Sequence, residues 1–307
     1  MGTPEDKKPD ASDIRFEGLL LAHAPAALRP WISLARLDRP VGWLLLLLPG
    51  WWALALAGSA DVGLYLLFLF GAVVMRAAGC VVNDLADRDL DRQIARTAER
   101  PLAAGHVGAR GAVIFLLLLL VIGAEVLLAL PADAILLGCA ALPLIFAYPR
   151  MKRIVWWPQA FLAFVFNWGA LLGWVAAGES LVSAAVWFLY GGAFFWTLGY
   201  DTLYASADLE DDERVGVRSL ARLFGGRIRY FVAGCFILAA VLWACALVFS
   251  GVVWFVWLGW GWMVFALLRC AGRLPAGGAP EPAAALADFR RQPRAALVFW
   301  VFLLFGS

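Results

Sequence analysis

Apolar stretches recur along the chain, each closed by a short charged or Pro/Gly-containing segment. Nine such runs can be read: Val41–Ala60, Val62–Val82, Gly111–Leu130, Ala134–Tyr148, Val155–Ala177, Leu181–Leu198, Tyr230–Phe249, Val252–Leu268 and Ala295–Phe305. Most approach the ~20 residues with which a helix crosses ~30 Å of hydrocarbon. A spanning segment must satisfy its backbone polar groups internally, so the runs predict helices. Ala134–Tyr148 is short and carries Pro143, and the last run ends at Phe305 before a normal span is complete. The pattern therefore predicts an all-α, polytopic transmembrane helical bundle of nine helices, with eight as the fallback.

The polar residues orient this bundle. All 25 Lys and Arg fall on alternate sides of the nine runs: 6 up to Arg39, 6 from Arg76 to Arg110, 3 at Arg150–Arg153, 5 from Arg214 to Arg229 and 5 from Arg269 to Arg294. The opposite connections carry Asp61, Asp133 and Glu179 and no cation. The positive-inside rule places the long loops and the polar tail, residues 1–28, in the cytoplasm. Met1–Glu17 is acidic and lacks the basic start of a secretory signal, and mitochondrial presequences avoid acids, so a bacterial inner membrane is the expected location. Composition agrees: 63% of residues are hydrophobic and 16% charged, against about a quarter charged in soluble domains. With 16 Trp and 21 Phe the chain has too much to bury for disorder.

Cys80, Cys139, Cys235, Cys245 and Cys270 have no C-x-x-C spacing, and with only His23 and His106 available a zinc or iron–sulfur site is not expected. Arg273–Arg294 is rich in Pro, Gly and Ala and reads as a flexible connector to the last helix. No P-loop or G-x-S-x-G motif occurs.

The chemical signal sits in two cytoplasmic loops. In Asn83-Asp84-Leu85-Ala86-Asp87-Arg88-Asp89-Leu90-Asp91, a turn of 100° per residue puts Asp84, Asp87 and Asp91 on one helix face and Asp89 on the other. In the stretch from Tyr200 to Asp212, Asp201, Tyr204, Asp208 and Asp212 share a face in the same way. Carboxylates so crowded repel one another and need an offsetting charge. Mg²⁺ fits, because it takes hard oxygens and is usually held by a few carboxylates together with substrate phosphates. Two such faces would clamp a diphosphate, with Arg88, Arg92, Arg96, Arg100, Arg214, Arg218 and Arg222 nearby for the remaining oxygens.

The competing reading is a capped helix end with a solvated, salt-bridged surface. Against it, both clusters follow an even-numbered helix, and Asp84 and Asp208 lie 124 residues apart. That spacing suggests two four-helix repeats, 41–148 and 155–268, with the last helix, 295–305, added. Arg36 precedes the first run and is either an anion ligand or a headgroup anchor. The segment Tyr148-Pro149-Arg150-Met151-Lys152-Arg153 divides in the same way between substrate binding and ordinary positive-inside charge. Glu125 lies near the outer end of the third run, where snorkelling or an interhelical hydrogen bond is expected.

On these motifs the chain resembles the UbiA-type intramembrane prenyltransferases, and among them the 4-hydroxybenzoate polyprenyltransferases of ubiquinone biosynthesis. The family's N-D-x-x-D-x-x-x-D signature is matched at Asn83, Asp84, Asp87 and Asp91, and its D-x-x-x-D signature at Asp208 and Asp212 within Y-D-T-x-Y-A-x-x-D. Arg36-Leu37-Asp38-Arg39-Pro40, Arg96-Thr97-Ala98-Glu99-Arg100-Pro101 and Tyr148-Pro149-Arg150-Met151-Lys152-Arg153 carry the likeness further, over residues 29–307. The resemblance implies a prenyltransferase domain of nine helices around a central cavity, capped on the cytoplasmic side by the two acidic loops.

It also implies Mg²⁺-dependent transfer of a polyprenyl group from its diphosphate to 4-hydroxybenzoate, ortho to the hydroxyl. Asp84, Asp87, Asp208 and Asp212, with Asp91, are then the catalytic and metal-binding residues. Arg36, Asn83, Arg88, Arg100, Tyr148, Lys152, Arg153, Tyr200, Asp201 and Tyr204 are the substrate-binding ones. The implied partners are the two substrates, the lipid bilayer and other enzymes of the ubiquinone pathway, with no nucleic acid. Other acceptors (dihydroxynaphthoate, homogentisate, haem or a chlorophyllide) stay open at this point, as does a cation-coupled transporter. Transporter sites usually lie near the bilayer midplane, whereas these acids lie at its rim.

Overall fold

The computed structural model describes residues 19–94, 97–216 and 218–306; the side chains at 146, 148–150, 152, 153, 211 and 215 lie outside the description. Residues 1–18 of the polar tail and Arg96 therefore fall outside it. Among the described residues there are helices and no strands. Among the described residues the longer helical segments, one of them a pair of short helices in tandem, are numbered here α1 to α9. They are α1 Val41–Leu56, α2 Val62–Ala86, α3 Ala109–Leu128, α4 Ala132–Ile154, α5 Pro158–Ala176, α6 Ala184–Ala205, α7 Ile228–Ser250, α8 Val256–Arg273 and α9 Pro282–Leu304. Among the described residues four stretches are long and apolar enough to cross a membrane by length and composition: α2, α3, α5 and Leu220–Ser250, which contains α7. Val41–Leu56 and Ala132–Ile145 are shorter apolar helices. The protein is a multi-pass membrane protein.

Three expectations change. The supposed connector is helical from Pro282 on, so α9 has 23 residues rather than the 11 of its apolar tail. Pro282 stands at the helix start, where its missing N–H costs nothing, and Glu281 caps it by accepting from Ala283 N (3.1 Å) and Ala284 N (2.8 Å). The weak fourth run belongs to a 23-residue helix that carries both Pro143 and Pro149. The fifth is interrupted at Asn167 into Pro158–Phe166 and Trp168–Ala176.

The chain divides into two compact units, residues 1–40 with 74–122 and residues 41–73 with 123–307. In the first, Leu34, Ala35, Val74, Ala77, Val81, Leu102 and Val107 form an apolar core. In the second, α6 packs along α7, and α1 along the second half of α5. Small residues allow both approaches, since without a hydrophobic drive between helices in lipid, close van der Waals contact does the work. A Cβ on Gly173 would stand 2.6 Å from the Gly50 carbonyl oxygen, and one on Gly192 2.4 Å from the Trp243 ring. Trp52, Trp196, Trp243 and Phe299 fill the space between, with ring centroids 5.1–6.0 Å apart.

Candidate functional site

In the first unit the acidic motif is built on the end of α2. Asn83 and Asp84 lie in its last turn, the Asp87 N–H donates to the Asn83 carbonyl (2.8 Å) and the Asp91 N–H to the Asp87 carbonyl (2.8 Å). The backbone thus keeps near-helical spacing past the formal helix end at Ala86 and into the short helix Arg88–Asp91. Asp84 and Asp91 are buried, whereas the Asp89 side chain is 90% exposed, as the wheel predicts.

Two arginines hold these acids. Arg36 Nη2 donates to both Asp84 oxygens, at 2.9 and 3.0 Å, and its Nη1 donates to the Ser33 carbonyl (2.8 Å). Arg100 Nη1 donates to both Asp91 oxygens (3.0 and 2.9 Å) and reaches Asp84 Oδ1 at 3.4 Å. Asp84 is 2% exposed, so these pairs operate in a low dielectric, where an unpaired charge would be costly. Burial pushes the Asp91 carboxyl above its ordinary range, with Arg100 opposing the shift and Asp84 and Asp87 adding repulsion.

Arg36 holds its guanidinium there through an unusual backbone. The helix Arg29–Leu34 ends with the Leu37 N–H on the Ile32 carbonyl and the Arg36 N–H on the Ser33 carbonyl, both at 3.1 Å. This is the Schellman pattern, whose left-handed residue is commonly glycine. Here Arg36 occupies it, at φ +55°, the only non-glycine positive φ among the described residues. Backbone strain held at a charged cluster points to function.

In the second unit, Tyr200, Asp201 and Tyr204 lie on the last turns of α6. A 3₁₀ turn, Ser206–Asp208, and a helix, Leu209–Val215, follow. The backbone thus tightens at 206–208 within the stretch the wheel treats as one α-helix, and there the Ser206 hydroxyl donates to the Leu203 carbonyl (2.6 Å). Asp201, Tyr204, Asp208 and Asp212 are half-buried and Tyr200 is buried; Glu210, Glu213 and Arg214 are exposed. The Tyr200 and Tyr204 rings pack on Phe289, at 5.8 and 4.8 Å. Arg218 and Arg222 lie over the Trp156 ring (5.5 and 5.8 Å), and Arg222 Nη1 donates to the Asp212 carbonyl (3.4 Å). The side chains of Tyr148, Lys152 and Arg153 lie outside the described set.

Among the described residues no three His, Cys, Asp or Glu side chains converge as a preformed metal site. The donors are carboxylate oxygens, the ligand type a hard divalent cation takes, although the two buried ones already accept from Arg36 and Arg100, which a cation would have to displace or share. The buried Nε of Arg88 has no acceptor, so an oxyanion would find a ready donor there. Two further buried polar contacts are present in the two units. The Thr97 hydroxyl donates to the Asp91 carbonyl (2.9 Å), and buried Asn167 bonds to Thr197 (2.8 Å). Asn167 had left a trace, as an amide in the middle of an apolar run. A cleft of about 590 Å³ lined by Asp133 and Glu179 gathers none of the site residues.

The profile of the UbiA prenyltransferase family matches residues 46–303. A protein named 4-hydroxybenzoate polyprenyltransferase, mitochondrial, from Drosophila pseudoobscura pseudoobscura, is 42% identical over 79% of this chain and 61% of its own length. The chain thus spans about three fifths of that curated relative. Among solved structures, the apo form of a UbiA homolog from Aeropyrum pernix K1 superposes with a TM-score of 0.73 at 22% identity, covering 85% of this chain and 96% of that one. A UbiA homolog from Archaeoglobus fulgidus bound to GPP and Mg²⁺ gives 0.65 at 20% identity, covering 90% and 99%.

Proposed function

The chain belongs to the UbiA prenyltransferase family, and from that premise we propose that it transfers a polyprenyl group from polyprenyl diphosphate to 4-hydroxybenzoate, ortho to the hydroxyl, with Mg²⁺. The observation that carries the chemistry is the buried cluster in which Arg36 and Arg100 hold Asp84. The likeness to a relative named for 4-hydroxybenzoate supports the acceptor.

In this reading Asp84, Asp87 and Asp91, and in the second motif Asp208 and Asp212, are the cation ligands. When bound, the cation supplies positive charge to the leaving diphosphate. Asn83 assists the first set, and Arg36, Arg88 and Arg100 donate to diphosphate oxygens, stabilising charge as it develops. The allylic C–O bond breaks with its electron pair passing to the diphosphate oxygen. The ring carbon ortho to the phenol then forms the new C–C bond, and a base takes the proton from that carbon. Asp208 is the proposed base. Lys152 and Arg153 would bind the carboxylate of the acceptor, and Tyr148, Tyr200, Asp201 and Tyr204 would orient it, with the tyrosine faces stabilising the allylic cation. Apolar surroundings keep water from that cation.

The two repeats, 41–148 and 155–268, are proposed as an ancestral duplication, on motif spacing. The bacterial inner membrane is the proposed location, with the acidic loops facing the cytoplasm on the cation distribution. The curated relative named here is mitochondrial, and cell fractionation decides between the two addresses. Acceptor choice is tested with membranes carrying the protein, a prenyl diphosphate and Mg²⁺, offered labelled 4-hydroxybenzoate and dihydroxynaphthoate in competition. Prenylated hydroxybenzoate is the expected product; product from dihydroxynaphthoate alone would overturn the acceptor and leave the chemistry.

A further inference from the structure

The seam between α8 and α9 ends in a cluster of arginines. The two helices run antiparallel: Arg273 Nη1 donates to Asp288 Oδ1 at 2.8 Å, Gln292 Nε2 donates to Cys270 Sγ at 3.5 Å, and a Cβ on Gly259 would meet the Phe302 side chain at 2.5 Å. Arg269 lies one turn, about 6 Å, further along α8 than Arg273, and in this register Arg294 stands at nearly the same level across the seam.

Between residues 269 and 294 there are five arginines against two acids. Both acids are committed. Glu281 caps α9, and Asp288, 4% exposed, accepts from Arg273 and from Arg291 (2.6 Å). Among the described residues no carboxylate pairs with Arg269, Arg290 or Arg294, and all three are exposed. Arg269 lies along its own helix, over the Phe265 ring at 6.0 Å.

The same faces continue as apolar surface. At 100° per residue Leu258, Trp262, Phe265 and Arg269 fall within about 60° of one another on α8, and Arg290, Arg294 and Val301 within about 40° on α9. Leu258, Trp262, Phe265 and Val301 are all exposed. In a membrane protein such faces meet acyl chains, so the arginines stand where hydrocarbon gives way to headgroups. A general excess of cations at that level would not need to be gathered on adjoining turns of two paired helices. Unpaired positive charge above an apolar strip has the anatomy of one molecule, a phospholipid with an anionic head over its chains.

We propose that the α8–α9 seam is a binding site for an anionic phospholipid, with Arg269 and Arg294 on its phosphate and its chains along Phe265, Trp262 and Val301. Guanidinium forks match phosphate oxygens, and buried Asp288 holds Arg273 and Arg291 at the rim of the same site. A soluble anion offers the same oxygens, but the apolar strip favours the lipid. The site also touches the second acidic motif indirectly. Phe289, next to Asp288, packs on the Tyr204 ring at 4.8 Å, so a lipid that ties α8 to α9 steadies the ring on which Tyr204 rests.

The test uses the full-length protein in nanodiscs of phosphatidylcholine with increasing phosphatidylglycerol, read by thermal unfolding. Phosphatidylglycerol should raise the wild-type midpoint by about 4 °C. Arg269→Gln with Arg294→Gln should lose at least about half of that rise. Arg110→Gln with Arg227→Gln removes the same charge from exposed positions elsewhere and should keep it. If the first pair does not fold when combined, Arg269→Gln and Arg294→Gln singly should each lose part of the rise. No rise in wild type, an equal loss in the two pairs, or a full rise without Arg269 and Arg294 would overturn the site. Inorganic phosphate that reproduces the rise in pure phosphatidylcholine would overturn the lipid as its occupant.

Discussion

Replacing Arg36 should expose how much of the first unit depends on one strained residue. Arg36→Ala removes both bonds to Asp84, at 2.9 and 3.0 Å, and leaves the carboxylate with Arg100 at 3.4 Å. Stripping a buried charge of its partner costs roughly 3–5 kcal/mol. Because Arg100 remains, the loss should fall to about 2–3 kcal/mol. Arg36→Gly removes the same bonds but suits φ +55°, so it should be about 1 kcal/mol more stable than Arg36→Ala. Arg36→Lys keeps charge without the two-pronged fork and should lie between alanine and wild type. In an Asp84→Asn background no carboxylate is left to strand, and Arg36→Ala should cost about 1 kcal/mol or less. Equilibrium unfolding of the four variants of the cycle in mixed micelles measures the coupling, expected near 2 kcal/mol. A coupling below about 0.5 kcal/mol would refute the ion-pair reasoning, and a glycine variant no more stable than the alanine one would refute the strain reasoning.

Further expectations concern packing, capping and chemistry. Gly173→Ala would bring a Cβ to 2.6 Å from the Gly50 carbonyl oxygen, and since that atom is backbone, α1 and α5 must part; a loss of about 1–3 kcal/mol is expected in micellar unfolding. Glu281→Ala removes the acceptor for Ala283 N and Ala284 N, costing about 1 kcal/mol, and should show as faster hydrogen exchange confined to the first turn of α9. Asp84→Asn and Asp208→Asn, each checked for folding, should lower prenyl transfer at least about 10²-fold. Full activity in both would remove the acidic motifs from the mechanism.

Much of the architecture is legible from hydropathy because lipid imposes one solution on each apolar run, a helix that bonds its own backbone. The orientation of the first acidic cluster is legible for a related reason. The backbone stays helical in spacing from Asn83 to Asp91, so a wheel separates buried Asp84 and Asp91 from exposed Asp89. At Ser206–Asp208 the backbone tightens to 3₁₀, which a wheel does not anticipate, and Asp201, Tyr204, Asp208 and Asp212 are alike half-buried on either side of that turn. The start of α9 was hidden by composition, since Pro and Gly before residue 282 suggest a linker, while Glu281 and the alanines after Pro282 make a helix start. Arg36 in the left-handed region and the Asn167–Thr197 bond, 30 residues apart in sequence, depend on tertiary partners that periodicity does not encode.

The most direct test of the central proposal is the reaction itself, with purified protein in nanodiscs, ring-labelled 4-hydroxybenzoate and a prenyl diphosphate, followed by mass spectrometry of the lipid extract. A prenylated hydroxybenzoate that forms with Mg²⁺, disappears with EDTA and returns on adding Mg²⁺ back is the expected result. Folded protein that yields no prenylated product under any of these conditions, or yields it unchanged in EDTA, would contradict the proposal.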